Sequence, residues 1–297
     1  MSTPKYVLIT PARNEGDFIE NVIQSVVSQT VLPQKWIIVS DGSTDRTDEI
    51  VAGYLAPHPW MELIRIPEHR ERNFASKVHC FNAGHERAKR LPYDIVGNLD
   101  ADITFDPDYF EFLLSKFAAD PKLGVAGTPF IERNSHYDYR FASLDHVSGA
   151  CQLFKRECFE DIGGYTPIEA GGIDWTAVTT ARMKGWTTKT YPEKSCAHHR
   201  KIGTRDSGRL KAIFQYGRKN YMLGGHPLWQ VSRAIYQMTR KPYGIGGVLL
   251  MAGYAWGFIA RTKRPIGPDL LLFYRREQMT RLKAIISNML SKQTTGR

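Results

Sequence analysis

Four short strand-like runs, at residues 5–10, 35–40, 61–66 and 94–99, punctuate the first third of the chain, and stretches of helical periodicity separate them. Between the first two runs, Phe18, Ile19, Val22, Ile23, Val26 and Val27 recur at the spacing of one helix face. That predicts a helix over about 15–29, with Asn14 as its cap. A second helix is expected after the turn Asp41-Gly42-Ser43-Thr44-Asp45, and a third over 75–89. Strands of this length that alternate with helices are joined by right-handed crossovers. The result is a mostly parallel sheet covered on both faces, an α/β fold.

The second and fourth runs both end in acid. The fourth leads into Asp100-Ala101-Asp102, and the second into Asp41. In open α/β sheets ligands sit at the C-terminal ends of the strands. Two carboxylates one residue apart repel unless a cation lies between them, and a hard divalent ion that also binds phosphate suits that place. Asp-x-Asp is also an ordinary loop tripeptide, and Asp41 and Asp174 could each simply cap the next helix. The glycine signatures of phosphate cradles are absent: no GxGxxG comes after the first run, and no GxxxxGK[ST] occurs. Dinucleotide enzymes and P-loop NTPases are thereby disfavoured, and a metal must supply the positive charge that a diphosphate needs.

Further along, 107–119 is expected as helix, 123–132 and 147–154 as strands, and 156–162 as a short helix stopped by Gly163-Gly164. A glycine-loosened loop leads into a helix that starts near Asp174, and 186–191 is the last expected strand. Four cysteines without CxxC pairing argue against a disulfide framework or a zinc site and suit a reducing cytoplasm. No apolar leader precedes the first run, so no signal peptide is expected.

Five stretches together resemble family 2 glycosyltransferases of the GT-A fold, non-processive and of the bacterial cell-envelope or polysaccharide type. They are Thr10-Pro11-Ala12-Arg13-Asn14-Glu15, Val39-Ser40-Asp41-Gly42-Ser43-Thr44-Asp45, Asn98-Leu99-Asp100-Ala101-Asp102, Gly163-Gly164-Tyr165 and Ile173-Asp174-Trp175. The resemblance covers residues 5 to about 200. It implies a nucleotide pocket lined by Pro11, Ala12, Arg13, Asn14, Glu15 and Ala101, with Asp41 on the base, commonly uracil. It implies Asp100 near the ribose or metal and Asp102 on Mg²⁺ or Mn²⁺. Asp174 would be the general base, and Gly163, Gly164, Tyr165 and Trp175 would shape the acceptor side. Lys77 lies near the donor pocket or on a solvated helix face. In such enzymes a histidine after the last strand completes the metal site, here His198 in preference to His199, and Arg200, Lys201 and Arg205 would clamp the diphosphate. The expected reaction is inverting transfer of a sugar from a UDP-sugar to a hydroxyl of a lipid-linked or envelope glycan. A single base implies attack on the face opposite the leaving group.

The chain carries 40 Lys and Arg against 30 Asp and Glu, a formal +10, much of it after residue 180. Residues 1–200 are expected as the catalytic domain, with nucleotide binding to about 102, and 201–297 as a helical, basic extension. Gln215-Tyr216-Gly217-Arg218-Lys219 lacks the tryptophan of the processive Gln-x-x-Arg-Trp pattern, which favours single additions. The uncharged segment 243–260 sits between basic flanks. A helix or hairpin on an anionic cytoplasmic membrane face, a true span, and a packing or homodimer helix are its three readings. The positive-inside bias disfavours the span. Two other classes compete for the whole chain. A sugar-phosphate nucleotidyltransferase should carry a glycine-rich basic loop after the first strand, and Pro11–Glu15 is a poor one. A nucleic-acid binder is suggested by charge alone and lacks a recognition module.

Overall fold

The computed structural model describes residues 3–67, 74–132, 143–200 and 208–294. The chain divides into two compact units, Met1–Lys201 and Ile202–Arg297. In the first, β1 (Tyr6–Ala12), β2 (Lys35–Asp41), β3 (Met61–Ile66) and β4 (Ile95–Leu99) are the four strand-like runs, with α1 (Ile19–Val27), α2 (Thr47–Leu55) and α3 (Phe74–Ala88) between them. β1, β2 and β4 are buried almost throughout, as strands covered on both faces must be. Tyr6, Leu8, Trp36 and Ile38 pack with Val22, Ile23 and Val26 of α1 in one core.

β5 (Ile103–Thr104), α4 (Tyr109–Ala119), β6 (Leu123–Gly127), β7 (Phe130–Ile131), β8 (Cys151–Lys155), α5 (Arg156–Asp161), α6 (Ile173–Met183), β9 (Thr187–Thr190) and β10 (Cys196–His198) complete the unit. The main sheet runs β3-β2-β1-β4-β8-β6-β9. β1 is parallel to both β2 and β4, while β8 is antiparallel to β4 and β6. The strand order therefore reverses direction between β1 and β4, and their C-terminal ends flank the crevice where such sheets bind ligands.

Three expectations are corrected. Residues 123–132 are two short strands in different sheets, because Thr128-Pro129 interrupts the run. β9 is succeeded by β10, which joins β5 and β7 in a separate three-stranded sheet of order β5-β10-β7. Asn14 does not cap α1: its backbone is left-handed at φ 53, a region that Asn tolerates, and its side chain is used elsewhere.

The second unit consists of α7 (Arg209–Met222), α8 (Pro227–Met238), α9 (Ile245–Ile259) and α10 (Pro268–Thr294). Among the described residues no helix is long and apolar enough to cross a membrane.

Candidate active site

Past the ladder, which reaches Ala12 opposite Ser40, the loop after β1 is fastened to the loop after β2 by side chains. The Thr44 amide donates to Asn14 Oδ1 at 2.8 Å, and the Asn14 amide donates to Ser43 Oγ at 3.1 Å. One residue on, the Glu15 amide donates to Thr47 Oγ1 at 2.8 Å and the Gly16 amide to Asp45 Oδ2 at 2.8 Å. Asp45, not Asp41, therefore serves the start of α2, where it also accepts the Thr47 amide at 3.0 Å. Asp41 lies buried at the end of β2 with Arg13 3.6 Å away. Burial, and then the neighbouring Asp41 carboxylate, push the Cys80 thiol of α3 well above its usual range, so Cys80 is an inert wall of this corner.

The end of β4 is tied to the loop before β8. The Asp100 amide donates to Ala150 O at 2.8 Å, and Asn98 Nδ2 donates to Gly149 O at 2.7 Å. The Gly149 amide in turn points at Asp174 Oδ2, 3.3 Å away. A Cβ on Gly149 would stand 2.9 Å from the Asp174 Cβ, so only glycine lets α6 approach this closely. Asp174 lies in the first turn of α6, but the cap position is Gly172 in a left-handed conformation and no side chain caps it. The capping alternatives for Asp41 and Asp174 are thus both replaced by other contacts. The carboxylate of Asp100 pairs with Lys77 Nζ from α3.

Asp102 faces a different neighbourhood, built by the small sheet. It immediately precedes β5, and β5 pairs antiparallel with β10, so Ile103 stands opposite His198. His198 Nε2 is 3.6 Å from Asp102 Oδ2, and Arg200 Nε is 3.8 Å from the same oxygen. On the other side β10 runs parallel to β7, which brings Glu132 Oε1 to 3.4 Å from His198 Nδ1. That buried nitrogen makes no hydrogen bond among the described residues. Arg200 also pairs with Glu15 and lies over the Phe18 ring. His199 turns away, stacked near Phe18 with Nε2 2.8 Å from Thr104 Oγ1. Burial, and then repulsion from Asp100, raise the Asp102 carboxyl above the usual carboxylate range.

This arrangement suits a divalent cation. Among the described residues no group of three or more His, Cys, Asp or Glu is placed to hold one. A Mg²⁺ or Mn²⁺ ion that serves a phosphate substrate needs only one or two protein ligands, since substrate oxygens and waters complete its shell. Asp102 and His198 can supply two. At Asp102 burial and the Asp100 charge outweigh the pull of His198, Arg200 and Lys77, so its carboxylate still calls for positive charge. Glu132 stands on the Nδ1 side of His198, the side from which a carboxylate commonly orients a metal-binding imidazole. Glu132 had no signal in the sequence, because a two-residue strand leaves no pattern to read.

The remaining candidates divide between the pocket edge and the core. Pro11 and Ala12 are the last residues of β1, and Ala101 is buried between the two aspartates. Gly163 and Gly164 both have left-handed backbones, φ 76 and 74, and terminate α5. Tyr165 is a core residue: its ring meets Phe81, Phe154 and Phe159, and its hydroxyl donates to Gln152 Oε1 at 2.6 Å. Burial, then Asp174 and Asp100, raise its pKa. It supports the site from behind and offers no ring to an acceptor. Trp175 is half-buried in α6. Lys201 and Arg205 lie outside the described residues.

Residues 7–172 match the family model "Glycosyl transferase family 2". The chain is 26% identical over 203 residues to the poly-beta-1,6-N-acetyl-D-glucosamine synthase of Staphylococcus aureus strain MSSA476, covering 62% of this chain and 47% of that protein. It is likewise 26% identical over 170 residues to the synthase of Staphylococcus epidermidis, covering 50% of this chain and 39% of that protein. The chain thus spans about half the length or less of these curated relatives. Among solved structures, the mannosyltransferase PcManGT of Pyrobaculum calidifontis, in complex with GDP-Man and Mn²⁺, superposes with a TM-score of 0.56 at 19% identity, covering 99% of this chain and 81% of that one. S. aureus TarS 1–349 in complex with UDP-GlcNAc gives 0.54 at 12% identity, over 88% of this chain and 74% of that one. These likenesses show the GT-A fold.

Proposed function

The chain belongs to glycosyl transferase family 2 and is a glycosyltransferase, and on that premise we propose that it transfers a single sugar, with inversion, from a UDP-sugar to a hydroxyl of a lipid-linked or envelope glycan. The observation that carries the reading is the Gly149-Ala150 step, whose backbone contacts Asp100 and Asp174 at once. A carboxylate suited to a donor and one suited to an acceptor thereby stand on two sides of the same turn.

Asp41 receives the base, Asp100 the ribose, and Arg13, Asn14 and Glu15 line the wall between them. Asp102 and His198 would hold Mn²⁺ or Mg²⁺, with Glu132 on the Nδ1 side of the His198 ring. The ion supplies positive charge to the departing diphosphate. Asp174 accepts the proton of the attacking hydroxyl through its carboxylate. Arg200 and Lys77 are cations already lodged beside carboxylates. Lys77 and Asp100 are each 27% exposed, and such a pair is worth about 0–1 kcal/mol, so an arriving phosphate can exchange partners at little cost. Lys201 and Arg205 extend this basic side. Lys219 after Arg218, where processive synthases carry Trp, supports single additions. The acceptor places the enzyme at the cytoplasmic face of a membrane.

The test is a thermal-shift and hydrolysis screen of UDP-, GDP- and dTDP-sugars with and without Mn²⁺. Stabilisation and slow hydrolysis by a UDP-sugar only with the ion is expected; no stabilisation by any nucleotide under either condition would overturn the reading.

A further inference from the structure

Residues 208–268 contain ten Lys and Arg and no Asp or Glu, so this one segment matches the formal net charge of the whole chain, +10. It folds as α7, α8 and α9. The inner side of α9 is built of glycine. A Cβ on Gly253 would stand 2.0 Å from Phe214 O of α7, one on Gly217 2.1 Å from Leu250 O, and one on Gly247 2.4 Å from Ala234 O of α8. Three helix backbones therefore touch, and the glycines that dilute the hydrophobicity of 243–260 serve this packing.

The large apolar side chains of α9 are left on its other side. Ile245, Val248, Trp256, Phe258 and Ile259 are 53–71% exposed. On α8, Leu228, Val231, Ile235 and Met238 recur three or four residues apart as one stripe, 40–60% exposed. The two stripes meet, since the Met238 side chain fills the space beside Gly247, next to Val248. Scattered exposed apolar residues are normal on soluble surfaces, but contiguous stripes on neighbouring helices mark a contact surface. Lys241, Arg261 and Lys263 are exposed at its ends.

Charge decides what covers it. A second copy would set one acid-free cationic segment against another. A nucleic-acid backbone satisfies the cations and leaves the stripes in water. An anionic bilayer surface satisfies both, through lipid phosphates at the rim and the acyl boundary beneath the stripes. At 15 residues α9 is about 22 Å long, short of the roughly 30 Å needed to cross.

We propose that α8 and α9 form an interfacial hairpin that docks the chain on an anionic phospholipid bilayer. This gives the membrane location proposed above a defined surface, and it depends on neither donor nor metal. The test is flotation of the full chain, without nucleotide, on vesicles of two parts phosphatidylcholine to one part phosphatidylglycerol and on pure phosphatidylcholine. The wild-type chain is expected to float with the anionic vesicles. The pair Ile235→Glu, Ile259→Glu should weaken partitioning at least about tenfold, and Lys241→Glu with Arg261→Glu by about tenfold or more on anionic vesicles. Unchanged thermal melting and UDP binding show that the variants fold. Sugar transfer assayed in detergent reports on the donor chemistry separately. Failure of the wild-type chain to float, wild-type flotation of the Ile235→Glu, Ile259→Glu variant, or a dimer that those substitutions dissociate without any vesicle binding would each overturn the proposal.

Discussion

The N-terminal unit takes its functional charges inward and mixes their signs, whereas the C-terminal helices spread one sign of charge outward and leave apolar side chains beside it. At the strand ends Asp41 lies beside Arg13, Asp100 beside Lys77, and Glu15 beside Arg200. On α8 and α9 there is no carboxylate at all, and large aliphatic and aromatic groups stand in water. The first arrangement suits a pocket that exchanges an anionic ligand, because each cation has a provisional partner to leave. The second suits a broad surface that answers to sign and area rather than to shape.

The contrast breaks most readily at Asp174. Asp174→Asn removes the proposed base and should lower kcat about 10²–10⁴-fold, with donor affinity and vesicle flotation unchanged. A kcat near that of the wild type would move the base elsewhere. The next effect sharpens the inward side. Glu132→Gln should weaken Mn²⁺ binding, monitored by the ion's electron paramagnetic resonance signal, about 10–100-fold; undiminished binding would leave Glu132 a bystander to His198. On the outward side, Gly253→Ala places a methyl group against Phe214 O. Overpacking of this kind costs about 1–3 kcal/mol, to be read from the denaturation midpoint, and an unaltered midpoint would contradict the close α7–α9 packing. The smallest effect belongs to Lys77→Met. It should change stability by no more than about 1 kcal/mol, since its pair is partly exposed, yet raise the KM for the donor; a large loss of stability would make the pair structural.

Much of the fold was legible because buried parallel strands announce themselves. β1, β2 and β4 are nearly continuous apolar runs, and β2 ends in a carboxylate and β4 leads into one at the C-terminal edge of the sheet. Less was legible where few residues carry the structure. β5, β7 and β10 have two or three residues each, too few to show a period, yet their pairing sets His198 beside Asp102 and Glu132 beside His198. Gly149 reads as one more loop glycine until the Asp174 Cβ is found against it. Tyr165, grouped by sequence with the acceptor side, is held in the core by an aromatic cluster that only tertiary packing creates. The same holds for α9, whose glycines look like weakened hydrophobicity in sequence and are packing surface in the fold.

In the proposed reaction Asp102 is the residue that links the strand end to the diphosphate. Calorimetric titration of UDP-GlcNAc into the wild-type chain and into Asp102→Ala, each with and without Mn²⁺, tests that role most directly. The expected result is binding that Mn²⁺ strengthens in the wild type and an Asp102→Ala chain in which the ion makes no difference; full Mn²⁺-dependent binding by Asp102→Ala would contradict it.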